Sequence, residues 1–142
     1  MPKLVKSIAH TALTVSDMEA SLKFYREALG FEKAFETHDA NDNPWIVYIY
    51  VGSDQFLELF YAEPGQEKAQ GGIGFNHMCF AVEDVQAIAD HLVESGYPLD
   101  AAPRRGRDRN LQCWTHDPDG NRIELMQMVE DSSQSRFLRS RG

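Results

Sequence analysis

Hydrophobic positions alternate with polar ones in several short runs and recur at helical spacing in two others. The first run predicts a strand over about residues 5–15, with Leu13 and Val15 on one face and His10 and Ala12 on the other, as strand geometry requires. Ser16-Asp17-Met18-Glu19 reads as a capping box, the Ser16 hydroxyl holding a helical N–H and Glu19 reaching back. The helix it opens carries Met18, Leu22, Tyr25 and Leu29 at helical spacing, and Gly30 is its expected stop. Strands follow over 31–38, 45–51 and 56–61, with Gly52-Ser53-Asp54 turning the chain between the last two. The same order then returns. A strand over 75–82 leads to a helix over 84–95 stopped at Gly96, then to strands near 97–103, 110–116 and 121–128, the last two joined by Asp117-Pro118-Asp119-Gly120. Between the halves, residues 62–74 hold Pro64, Gly65, Gly71, Gly72 and Gly74 and read as a linker. Residues 129–142 are polar and rich in arginine, which is the composition of a mobile tail.

The repetition is close enough to align. Ile8-Ala9-His10-Thr11 matches Phe75-Asn76-His77-Met78, and Phe56-Leu57-Glu58-Leu59 matches Arg122-Ile123-Glu124-Leu125. Each half therefore opens with a strand carrying a histidine and closes with one carrying a glutamate. The fold expected is α+β: two tandem βαβββ modules, about 5–61 and 75–128, forming within a single 142-residue domain a curved, partly open mixed sheet with helices on its convex side. In every strand that carries one of these four residues, the aliphatic face suits a helix. The opposite face holds His10, Glu58, His77 or Glu124 beside aromatic, methionine or small side chains. A mostly apolar surface with a few convergent polar groups is how small-molecule sites are built.

A chain of 142 residues buries roughly 68–70% of its unfolded surface, enough for a core without staples. Its net charge of −8 disfavours nucleic acid or an anionic membrane as a partner. No apolar run reaches the roughly 20 residues of a membrane span, and the N-terminus lacks the apolar core of a signal peptide. Cys79 and Cys113 fall inside predicted strands and are expected as buried packing residues in a reducing, cytoplasmic protein. The linker glycines lack the lysine and spacing of a phosphate loop. His38, His91 and His116 are expected at the surface.

Two carboxylates left alone in an apolar cavity would cost several kcal/mol each unless they were protonated or found a cation. One divalent metal ion solves this, held by His10, Glu58, His77 and Glu124. With no thiolate in the set, the donors suit Ni, Co, Zn, Mn or Fe with open positions for water or substrate. Phe56, Phe60, Phe75 and Met126 are expected to line the pocket. The stretch 103–109 packs Arg104, Arg105, Arg107 and Arg109 into one loop, read either as solvated or as an anion clamp that brings Arg104, Arg105 and Arg109 to substrate.

These features, over about residues 7–128, resemble the vicinal oxygen chelate superfamily, which spans lactoylglutathione lyases, bleomycin resistance proteins and dioxygenases, and most nearly its glyoxalase I branch. The motifs are His10 in Ile-Ala-His-Thr-Ala-Leu-Thr-Val, Phe-Tyr-Arg-Glu-Ala-Leu-Gly-Phe at 24–31, Glu58 in Phe-Leu-Glu-Leu-Phe, His77 in Phe-Asn-His-Met-Cys-Phe, and the run from Asp117 to Leu125. The resemblance implies a metal-dependent lyase/isomerase that turns an α-oxoaldehyde–thiol hemithioacetal, such as that of methylglyoxal, into a 2-hydroxyacyl thioester through an enediolate. It implies Glu124 as base, Glu58 as ligand or second base, and a homodimer. A metal-dependent epimerase of the methylmalonyl-CoA type and a non-catalytic small-molecule binding protein are the alternatives. Thr14 and Ala62 stand about where glyoxalase I enzymes commonly hold glutathione with an arginine and an asparagine, which leaves the thiol open.

Overall fold

Strand pairing decides where the predicted elements begin and end. The computed structural model describes residues 3–69 and 72–141, so Gly71 of the linker lies outside the described residues. The chain divides into two units, Met1–Ala69 and Gln70–Gly142. In the first, β1 (His10–Val15), α1 (Met18–Lys23), β2 (Glu32–His38), β3 (Pro44–Gly52) and β4 (Gln55–Tyr61) form a four-stranded sheet of order β1-β4-β3-β2. In the second, β5 (Met78–Ala81), α2 (Val85–Glu94), β6 (Ala101–Arg105), β7 (Leu111–His116) and β8 (Arg122–Gln127) form a sheet of order β5-β8-β7-β6. Each sheet has one parallel pair and two antiparallel pairs, the mixed α+β arrangement that the repeated pattern implies. β1 and β5 begin later than hydrophobicity suggests, because their partners β4 and β8 start only at Gln55 and Arg122. Likewise β6 starts at Ala101, whose partner is Trp114.

The helices cover the aliphatic faces. Val47, Ile49, Leu57 and Leu59 are buried with Tyr25 in unit 1, and Cys113, Ile123 and Leu125 with Val85, Ala89 and Leu92 in unit 2. The caps differ from the expected box. Asp17, not Ser16, is the first N-cap: its carboxylate accepts from the Ala20 N–H at 3.0 Å, which leaves Glu19 in the first turn, where a negative charge is favoured. Asp84 caps α2 in the same way, accepting from Gln86 and Ala87.

Helix α2 ends in a Schellman motif, with Tyr97 N–H donating to Leu92 C=O and Gly96, at φ 78°, donating to Val93. Unit 1 ends its helix at Gly30, φ 73°, but runs first through a π-helical turn, Phe24–Ala28, and the closing bond spans one residue more, from Phe31 N–H to Tyr25 C=O. The repeat explains why. His10 precedes His77 by 67 residues but Glu58 precedes Glu124 by 66, and the offset changes between the N-cap and the terminal glycine. Unit 1 carries one extra residue in its helix, and the π turn absorbs it without disturbing the sheet.

Tight turns fix the register of the central strands. Ser53 and Asp54 both have positive φ, the type I′ geometry that lets Gly52 pair with Gln55. In unit 2 the buried Asp117 carboxylate accepts from the Asp119 and Asn121 N–H groups and from the Asn121 side chain. The segment expected as a mobile tail instead carries α3 (Ser133–Ser140), capped by Ser132. Its anchor is Asn110, fully buried, which donates to Gln134 at 2.6 Å and accepts from the Val129 N–H at 3.0 Å. Polarity suggests a mobile tail, but these bonds cross from the residue before β7 to the chain end and leave no periodic trace. Among the described residues no helix is long and apolar enough to cross a membrane.

Candidate functional site

Glu58 sits mid-strand on β4, between Ala12 of β1 and Tyr48 of β3, on the face away from the helix. It is 8% exposed. His10 is the first residue of β1, and its Nδ1 lies 3.0 Å from Glu58 Oε2. Phe56 and Phe60 flank Glu58 along the strand, as alternation requires.

Unit 2 repeats the arrangement. Glu124 lies on β8 between Cys79 of β5 and Trp114 of β7, 9% exposed, with its Oε1 3.2 Å from His77 Nε2. Here the neighbours place one ring proton. Asn76 Oδ1 accepts from Arg122 Nη1 at 3.3 Å and stands 2.6 Å from His77 Nδ1, so Nδ1 carries the proton. His77 Nε2 then faces the Glu124 carboxylate, either as an N–H donor or through its lone pair. Two lone pairs at that distance repel unless a proton or a cation lies between them, and a histidine whose outer N–H is held by an oxygen is the usual posture of a metal ligand. The ring is held further by the edge of Trp114, centroid to centroid 4.8 Å, while the Arg122 guanidinium covers Trp114 at 4.6 Å.

The donor set thus fits a divalent cation, and the structure brings it together in pairs: His10 with Glu58, His77 with Glu124. Among the described residues no group of three or more His, Cys, Asp and Glu side chains is placed to hold one ion. Cys79 differs from its expected role as a packing residue: it is exposed and on the Glu124 face, because a strand position opposite Glu124 points away from the helix. Desolvation of its thiol, then the charges of Glu124 and Asp108, push its pKa up to about 12. Cys113 is buried as expected, and burial pushes it up to about 11.

The remaining candidates divide. Phe56 lies opposite His10 and Tyr50. Phe60 meets Trp45 edge-on, and Met126 is buried on the Glu124 face with Asn110 donating to its sulfur. Phe75 precedes β5 and is 55% exposed. Of the arginines, Arg104 pairs with Gln112 across β6 and β7 and so shares the face of Glu124. Arg109 binds Asp131 at 2.7 Å, with Arg105 at 3.8 Å from the same carboxylate, which ties the 103–109 loop to the chain end. His38, His91 and His116 bond to surface neighbours: Asp42 and Glu36, Ser95, and Asp100. The reading from sequence missed Asn76, Tyr48, Trp114 and Arg122. Applying the 66-residue offset to β3 and β7 would have set Tyr48 and Trp114 at equivalent places beside the two glutamates.

A sequence profile of the Glyoxalase/Bleomycin resistance protein/Dioxygenase superfamily matches residues 7–125, and the chain belongs to that family. It is 30% identical over 129 residues to the lactoylglutathione lyase of Haemophilus influenzae, covering 84% of this chain and 91% of that one. It is 28% identical over 131 residues to a "Probable lactoylglutathione lyase" of Vibrio parahaemolyticus, covering 89% and 94%. The trypanothione-dependent glyoxalase I of Leishmania major superposes with a TM-score of 0.71 at 25% identity, over 96% of this chain and 92% of the other.

Proposed function

We propose that this protein is a metal-dependent lyase/isomerase of the glyoxalase I type, acting on the hemithioacetal of an α-oxoaldehyde and a thiol. The observation that carries the reading is the His77–Glu124 pair, an imidazole held by Asn76 on one nitrogen and turned to a buried carboxylate on the other, together with the His10–Glu58 pair at the equivalent register. The two pairs would hold one divalent ion, either within one chain or across two copies, and the names of the relatives support the reaction class.

When bound, the ion supplies Lewis acidity to the two vicinal oxygens of the substrate. The protein's own groups do the rest. The Glu124 carboxylate takes the proton from the carbon beside the carbonyl and returns it to the neighbouring carbon, and Glu58 holds the opposite position as ligand or second base. Trp114 and Arg122 keep the His77 ring aimed. Arg104 is a guanidinium on the same face that suits a carboxylate of the thiol.

The reaction is tested by loading the protein with Ni²⁺ or Co²⁺ and following thioester absorbance from methylglyoxal and from phenylglyoxal with several thiols. Proton NMR of a CoA ester in D₂O runs in parallel. Thioester formation that falls about 10²-fold or more in Glu124→Gln supports the reading. Exchange of the CoA ester without thioester formation would replace it with an epimerase, and full activity in Glu124→Gln removes the base assignment.

A further inference from the structure

The two sheets share connectivity and register, so the surroundings of Glu58 and Glu124 can be compared place by place. Across the strands, Glu58 lies in the row Phe35–Tyr48–Glu58–Ala12, and Glu124 in the row Ala101–Trp114–Glu124–Cys79. The neighbouring row holds Tyr50–Phe56 in unit 1 and His116–Arg122 in unit 2. On the other side, Phe60 answers to Met126. Unit 1 therefore presents rings where unit 2 presents Ala101, His116, Arg122 and Met126. The fold does not require them, since unit 2 forms the same sheet without them.

Most of the core lies on the opposite face, and on this one, among the described residues, only Ile46, opposite Phe60, is a buried aliphatic residue. Phe35 is 49% exposed, Trp45 48% and Tyr50 38%. Phe35 stacks on Tyr48 with centroids 4.3 Å apart, and Phe35 and Tyr50 both reach Phe56, at 6.4 and 5.4 Å. Trp45 is the extra residue of a β-bulge, since Thr37 pairs with Ile46 and His38 with Pro44, and it rests against the edge of Phe60 at 5.9 Å. Glu58 stands between these two ring groups, and the β1 side offers His10, which pairs with it, and the small side chains of Ala12 and Thr14. Exposed rings gathered round a buried carboxylate form a surface that a ligand completes.

We propose that this face seats a planar aromatic group of the substrate, so that the compound turned over is an aryl α-oxoaldehyde adduct rather than a methyl one. The inference rests on the reading that the Glu58 face is part of the reaction site. Ring-on-ring contact, with offset or edge-to-face geometry, supplies the selectivity.

Benzohydroxamate and acetohydroxamate, chelating ligands that differ by phenyl against methyl, are titrated into the Ni²⁺-loaded protein by calorimetry. The expected result is binding of the phenyl compound at least about tenfold tighter. That ratio should fall to about twofold in Phe35→Leu/Tyr50→Leu, with Ni²⁺ content and oligomeric state unchanged. Equal binding of the two ligands overturns the inference, as does a preference that survives the double substitution. A variant that changes the oligomeric state but not the ratio assigns the rings to a subunit interface and overturns it too. Should elemental analysis find no Ni²⁺ taken up, the metal-centre reading fails alone. The same two ligands are then titrated into metal-free Trp114→Phe protein through Trp45 fluorescence, where a phenyl preference supports the aromatic seat and its absence removes it.

Discussion

Glu58 and Glu124 occupy the same place in two sheets: each is on the strand between a parallel and an antiparallel neighbour, each faces a ring across the antiparallel pair, and each meets the histidine of its own unit, at 3.0 and 3.2 Å. The pairs are not identical. Glu58 meets Nδ1 of His10, whereas Glu124 meets Nε2 of His77, whose other nitrogen is tied to Asn76. Unit 2 thus holds its histidine more firmly.

That difference has a measurable consequence. Trp114→Ala removes the edge contact to His77 and the platform under Arg122, leaving Asn76 as the ring's remaining support. Loss of such supporting contacts typically lowers metal affinity about 10–100-fold. Equilibrium dialysis with Co²⁺ reads the change. Unaltered affinity would show that the ring needs no support from Trp114.

The π turn is a one-residue surplus, so removing one residue there should restore an ordinary α-helix. Deletion of the exposed Glu27 is expected to leave a folded protein, destabilised by no more than about 1–3 kcal/mol. Deletion of Val93 from α2, which has no spare residue, should abolish the cooperative transition. Thermal unfolding followed by circular dichroism compares the two, and equal damage would refute the assignment of the surplus.

Asn110 links β7 to the chain end. Asn110→Ala leaves the Val129 N–H without its acceptor and the Gln134 side-chain Oε1 without its donor, a loss on the order of 1–3 kcal/mol for a buried group. Because α3 depends on this anchor, its amides should lose protection while those of β8 keep theirs. Hydrogen exchange by NMR separates local fraying from global unfolding.

His38 gives a pH signature separate from the two histidine–glutamate pairs. Its hydrogen bonds to Asp42 and then Glu36 raise its pKa above the ordinary 6.5. The stabilising contribution is therefore complete below 6.5 and fades as pH rises through the raised value. Glu36, lowered from 4.5 first by Lys33 and then by His38, behaves oppositely: its contribution is complete above 4.5 and is lost as pH falls through the lowered value. NMR titration of the His38 ring should show the shift, and Asp42→Asn should return the midpoint toward the ordinary value. A wild-type midpoint at or below 6.5 would contradict the ion pair.

Much of the fold was legible because its signals are local and occur twice. Alternation placed His10, Glu58, His77 and Glu124 on the face away from the helices, and Gly30 and Gly96 marked the helix stops. What escaped depends on pairing across distance. Asp17 displaced Ser16 as cap because the backbone turns extended one residue later than the box pattern implies. Helix α3 was hidden because its stability comes from Asn110 rather than from an apolar stripe. Cys79 was expected as a packing residue because it falls inside a strand, where a free cysteine behaves as a small hydrophobe, yet its place opposite Glu124 leaves it exposed. The loop arginines were grouped by spacing alone, and the Asp131 carboxylate that engages Arg105 and Arg109 lies beyond the module's last strand.

The most direct test counts cations. Co²⁺ titrated into the metal-free protein should reach one ion per chain, and removing either pair, by His10→Ala/Glu58→Ala or by His77→Ala/Glu124→Ala, should weaken binding about 10²-fold or more. Two independent ions per chain, or undiminished binding after one pair is removed, would show that the duplicated pairs do not share a metal.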